Sequence, residues 1–102
     1  MMYIIDNRKL DRQGRLVISD LWDTLPESVA VVLTETGDLT ILDASTLKHE
    51  IPGIVKVDNK NRVVIPAWIR KMLKEKYGED YNIFLVMDED NGEKRFVVEG
   101  SH

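Results

Sequence analysis

The sequence has 102 residues, of which 43% are hydrophobic and 31% charged, with a formal net charge of -4; this describes one soluble globular domain, too short for two ordinary ones. It has no cysteine, which excludes disulfides, thiol catalysis and thiolate metal sites, and its two histidines, His49 and His102, are too few for a histidine-based enzyme or a zinc site. Residues 1–6 lack the basic start and long apolar stretch of a secretory leader, and apolar runs such as residues 29–33 are too short to cross a bilayer, so a cytoplasmic location without membrane association is expected.

In chain order, the first informative stretch is Lys9-Leu10-Asp11-Arg12-Gln13-Gly14-Arg15-Leu16-Val17-Ile18-Ser19. It recurs, at a constant offset of 47 residues, as Lys56-Val57-Asp58-Asn59-Lys60-Asn61-Arg62-Val63-Val64-Ile65-Pro66. Gly14 faces Asn61, and these two residue types most readily take positive φ at the corner of a tight turn. The matched turn chemistry indicates an internal duplication. In the first half, Ser19 as N-cap with Leu21, Trp22 and Leu25 predicts a short helix ended near Pro26. A hairpin follows, with strands over 29–33 and 39–42 around a turn at Glu35-Thr36-Gly37-Asp38. Residues 43–47 are expected to form one helical turn before Pro52-Gly53.

In the second half, Pro66 opens a helix whose apolar face is Trp68, Ile69, Met72, Leu73 and Tyr77, ended by Gly78. A second hairpin spans 81–87 and 95–98 around an Asn91-Gly92 turn. Each half therefore reads strand, turn, strand, helix, strand, turn, strand. The expected fold is mainly β with short helices, one domain over residues 1–99 made of repeats 3–43 and 54–99 joined by linker 44–53, with Gly100-Ser101-His102 read as an expression scar. A unit of about 45 residues is near the lower limit for its own core, so the two halves should share one. Val17, Ile18, Val64, Ile65, Ile69 and Leu73 are the expected core.

The charge is unevenly placed. Residues 8–15 carry four cations against Asp11, a net +3, residues 56–74 carry six against Asp58, a net +5, and the remainder of the chain is net -12. Folded side by side, the two basic stretches would make a positive face on an acidic body, able to steer a polyanion because salt screens distant charge beyond about 10 Å. The D-x-x-x-R pattern has a physical logic. The aspartate bonds the turn's own amides, Gly14 or Asn61 supplies positive φ, and Arg15 or Arg62 leaves the turn as a planar fork suited to phosphate or guanine. The alternative is that Asp11–Arg15 and Asp58–Arg62 only brace their hairpins.

Residues 57–70 resemble the AbrB/SpoVT superfamily of swapped-hairpin barrels, whose pattern is approximately V-D-x-x-G-R-V-V-I-P-x-x-L-R. This chain departs from it at Asn61, and in the first half at Ser19 and Asp23, which stand where Pro and the second Arg would be. Two such turns in one chain look like MraZ proteins. The resemblance implies a duplicated β-β-α-β-β unit closing as an intrachain pseudo-dimeric swapped-hairpin barrel. It also implies transcription regulators that bind duplex DNA through the turns and nearby basic residues, here Arg8, Lys9, Arg12, Arg15, Lys56, Lys60, Arg62 and Arg70.

The competing reading is a protein-interaction module on the same fold that has lost DNA binding. Trp22, Trp68, Met72 and Tyr77 would then line a groove for a protein or peptide partner, although core packing is the simpler role for both tryptophans. Association into a further homo-oligomer is compatible with either reading. Asp88, Asp90 and Glu99 fall on a calcium-loop template, but Gly92 is misplaced in it, so no metal is expected. No glycine-rich phosphate loop or nucleophile–base pair is present, so neither cofactor nor catalysis is expected. His49 reads as a surface residue of the linker.

Overall fold

Three-residue strands cannot bury a core alone, and this chain solves that by pairing strands across its two halves. The computed structural model describes residues 1–35, 38–48 and 53–100; the expected turn residues Thr36 and Gly37, together with His49, Pro52, Ser101 and His102, lie outside them. The strands are β1 (Met2–Arg8), β2 (Arg15–Val17), β3 (Ser28–Leu33), β4 (Leu39–Asp43), β5 (Ile54–Lys56), β6 (Arg62–Val64), β7 (Asn82–Asp88) and β8 (Glu93–Glu99), with one helix, α1 (Ala67–Tyr77), between β6 and β7. Six strands form a sheet in the order β1-β7-β8-β4-β3-β5, and β2 pairs with β6 as a separate two-stranded ribbon. All the pairings are antiparallel. No helix among the described residues is long and apolar enough to cross a membrane.

The local signals place most elements. Pro66 precedes α1, and the Gly78 amide donates to the Lys74 carbonyl at 2.9 Å to close it. Both hairpins form, β3–β4 and β7–β8. Residues Ala44–Thr46 make the expected single turn, a 3₁₀ turn capped by Asp43, which accepts from the Ser45 amide. The helix expected over 19–25 is absent; the chain there runs through turns and bends. Only nine residues separate Ile18 from Ser28, against sixteen between Ile65 and Asn82. Pro26 removes a donor inside that short span, and a helix nucleus of so few residues is unfavourable without long tertiary support.

The pairing between halves is extensive. β1 of the first half pairs with β7 of the second, from Met2↔Asp88 to Arg8↔Ile83, with a bulge at Ile5. β5 of the second half pairs with β3 of the first. The ribbon pairs Arg15↔Val64, Leu16↔Val63 and Val17↔Arg62. Its flanking bonds repeat at the same offset of 47 as the sequence: the Ile18 amide donates to the Asn61 carbonyl at 2.9 Å, and the Ile65 amide to the Gly14 carbonyl at 2.8 Å.

One apolar cluster joins the layers. Leu16, Ile18, Val63 and Ile65 from the ribbon region meet Ile69 and Leu73 of α1 and the inward residues of the large sheet, including Val31, Leu39, Leu85 and Phe96. Four of the six expected core residues are there, fully buried. Val17 and Val64 are not; they are 39% and 46% exposed. Strand alternation explains the correction: with Leu16 and Ile18 inward, Val17 must point outward, and the same parity applies to Val63, Val64 and Ile65.

Truncation of Ile18 or Ile65 to Ala should each cost about 2–5 kcal/mol in denaturant unfolding, since both are fully buried in one shared cluster. A loss below about 0.5 kcal/mol would place the residue outside the core.

Candidate nucleic-acid interface

The two turns before β2 and β6 are built alike. Asp11 Oδ1 accepts the amides of Gln13 and Arg15, both at 2.9 Å. Asp58 Oδ1 accepts the amides of Lys60 and Arg62 at 2.9 and 2.8 Å. The corner residues take positive φ, 76° at Gly14 and 61° at Asn61. Each aspartate then uses Oδ2 to hold its arginine, Arg15 Nε at 2.5 Å and Arg62 Nε at 2.9 Å. Bracing and display are therefore not alternatives. Only Nε is engaged; the terminal amines of both guanidiniums make no hydrogen bond among the described residues, and the side chains are 29% and 21% exposed.

The ribbon fixes where those forks lie. The Ile18–Asn61 and Ile65–Gly14 bonds make Leu16–Val63 a hydrogen-bonded pair, so Arg15–Val64 and Val17–Arg62 are the closer, non-hydrogen-bonded pairs. Leu16 and Val63 face the core, leaving Arg15, Val17, Arg62 and Val64 together on the outer face. The two arginines occupy one diagonal of this square, roughly 7–8 Å apart at the backbone. Lys9, Arg12, Lys56 and Lys60 are exposed on the segments leading into it.

One expected contact residue, Arg8, has an internal role instead, and Arg70 is anchored at Nε as Arg15 and Arg62 are. Arg8 is only 12% exposed and is bound through Nε to Asp6, through Nη1 to the Val17 carbonyl at 2.6 Å, and through Nη2 to Asp20. It ties β1 to the end of β2, so it cannot also be a free cation of the face. Arg70 donates from Nε to the Ile65 carbonyl at 3.1 Å and lies directly on Gly14, where a built Cβ would stand 2.7 Å from that Nε. A side chain at Gly14 would have to displace the Arg70 guanidinium as well as take positive φ. At the equivalent corner, Asn61 is exposed, and Asp23 stands at the position corresponding to Arg70. The second turn therefore carries a side chain where the first carries the Arg70 guanidinium.

The four residues expected to line a partner groove are dispersed. Trp68 and Met72 are exposed, 47% and 46%, one turn apart on α1. Trp22 and Tyr77 pack against the core cluster. The helix buries the stripe Ile69 and Leu73, and its neighbours at Trp68 and Met72 fall outside that arc. A cleft of about 740 Å³ does exist, lined by Trp22 but by neither Trp68, Met72 nor Tyr77.

Electrostatics supports a folded role for the aspartates. Asp11 is held below the ordinary carboxylate range chiefly by the Arg15 amide, against some desolvation. At Asp58 desolvation is the largest influence and pushes upward, but the hydrogen bonds from Arg62 and Lys60 outweigh it. Comparison with family models, with curated proteins and with solved structures gave no match to this chain.

Two expectations follow. Because both folded carboxyls titrate below the unfolded value of about 3.9, their stabilisation is complete above that value and is lost as pH falls through the folded one. An Asp11→Asn, Asp58→Asn variant should therefore show a shallower loss of melting temperature on acidification below about pH 4 than the wild type; parallel curves would contradict the linkage. Gly14→Asn should displace Arg70 from the Ile65 carbonyl and destabilise by about 1 kcal/mol, whereas Asn61→Gly should stay within about 0.5 kcal/mol. Equal effects at the two corners would contradict the Arg70 contact.

Proposed function

We propose that this chain is a duplicated swapped-hairpin protein, a binding protein rather than an enzyme, that contacts duplex DNA through the outer face of the β2–β6 ribbon and regulates transcription there. The observation carrying this reading is the diagonal placement of Arg15 and Arg62, each anchored at Nε and open at its terminal amines. A two-stranded ribbon is one of the two elements that the major groove admits. Forks fixed at one nitrogen lose little freedom on meeting a phosphate or a guanine edge, and Val17 and Val64 between them suit a thymine methyl. Lys9, Arg12, Lys56 and Lys60 would add phosphate contacts, which position the protein without reading sequence. The swapped, duplicated reading draws its support from the β1–β7, β5–β3 and β2–β6 pairings between halves and from the bonds repeated at the sequence offset.

A second reading, a protein-interaction module, is favoured by Trp68 and Met72 on α1 and by the apolar β1, where Met2 to Ile5 are 44–61% exposed.

Titrating a random-sequence duplex by fluorescence anisotropy separates the two. Binding should weaken steeply with salt, and removing one phosphate-contacting Arg should lower the slope of log K against log salt by about one. Arg15→Ala, Arg62→Ala should abolish binding while the fold persists, since solvent-screened ion pairs contribute little to stability. Absence of wild-type binding at low salt would reject the DNA reading in favour of the protein-interaction one.

A further inference from the structure

The six-stranded sheet is split. β4 and β8 are neighbours, but their registered pairing consists of Leu39↔Phe96 alone. Continuing that antiparallel register would pair Thr40 with Arg95, Ile41 with Lys94 and Leu42 with Glu93. Those residues instead line the 740 Å³ cleft, together with Leu21, Trp22 and Phe96.

The ladders show which backbone groups face this gap. The Val31 amide donates to Gly53 on the β5 side, so alternate residues Ala30 and Val32 serve β4 through Leu42 and Thr40. Ile41 and Asp43 are therefore turned to the cleft. The Glu89 amide donates to Met1, which by the same alternation assigns Val86 and Asp88 to β8 through Arg95 and Glu93. Lys94 is therefore turned to the cleft from the β8 side. The Asp43 carbonyl is taken by the Thr46 hydroxyl at 2.7 Å. That leaves the Ile41 and Lys94 amides and carbonyls and the Asp43 amide without a strand partner on this side, and satisfying such groups is the driving force for strand addition.

The charge around the opening selects the occupant. Asp20 is held by Arg8 and the Arg95 guanidinium donates to Met2 Sδ, which leaves Asp23, Asp43 and Glu93 against Lys94, a net negative lining. We propose that this cleft binds an extended cationic peptide segment of a partner protein, added as a strand against β4 or β8, with apolar side chains against Trp22 and basic side chains toward the carboxylates. This is the strand-addition mode of peptide recognition, in which main-chain bonds give affinity and alternate pockets give selectivity. The site is separate from the ribbon face and does not rest on the nucleic-acid reading.

The test uses the full chain with Trp68→Phe, so that Trp22 alone reports, and a blocked Lys-Val-Lys-Val-Lys-Val peptide as probe. The proposal predicts saturable change in Trp22 emission and slowed amide exchange at Ile41, Asp43 and Lys94. A peptide N-methylated at alternate residues, and a Glu-Val counterpart, should each bind at least about tenfold more weakly. Asp23→Lys should weaken the cationic peptide by a similar factor. Lys94→Pro removes a cleft-facing amide that the β7 ladder does not use, and should bind the peptide more weakly than Lys94→Ala, which loses the same charge but keeps the amide. No saturation, equal binding of the N-methylated peptide, or protection confined to β1 or the ribbon would overturn the proposal.

Discussion

The pairing of Leu16 with Val63 is the contact on which the rest depends. It is the centre of a ribbon in which each strand has only three residues, one from each half of the chain. Neither strand could persist alone, because so short a segment gains too little from its hydrogen bonds to offset ordering. Paired, they put Leu16 and Val63 into the core and project Arg15 and Arg62 outward by the same alternation. The Ile18–Asn61 and Ile65–Gly14 bonds extend the pair to the two turns, so turn geometry, core packing and arginine display form one cooperative unit. β1 on β7 and β5 on β3 reinforce the same joining of halves.

The two halves are alike in their turns and unlike in what surrounds them. The second half has α1, and its Arg70 crosses to cover Gly14 in the first. The first half has an irregular segment over 19–27, whose Asp20 is used to hold Arg8. This division places an extra fixed cation beside one turn only, while Asp23 occupies the matching sequence position in the other half. It also leaves the irregular segment free to line the cleft between β4 and β8.

The turns, α1 and both hairpins were legible because their signals are local: Asp bonding its own amides, positive φ at Gly14 and Asn61, Pro66 and Gly78 around an apolar stripe. What could not be read depends on which residues meet from afar. Arg8 looks like a surface cation until Asp20 and the Val17 carbonyl are brought to it, and nothing local sets Arg70 against Gly14. The missing helix over 19–25 had a suitable cap and apolar spacing, but too few residues before Pro26 to sustain a nucleus. Val17 and Val64 share an apolar run with Ile18 and Ile65, and only the parity of the paired strands turns them outward. Trp68 and Met72 continue the apolar spacing of α1 yet fall outside the arc that the ribbon and sheet cover. The open seam between β4 and β8 has no sequence signal, because it is set by where two distant hairpins meet.

The central claim is that the halves are interleaved and stand or fall together. Native-state hydrogen exchange at the amides of Ile18 and Ile65 tests it most directly, since each donates to a carbonyl of the opposite half. The account predicts that both exchange through the same opening, with the same free energy, equal to that of global unfolding. Distinct opening free energies for the two amides, with one half losing protection while the other keeps it, would contradict it.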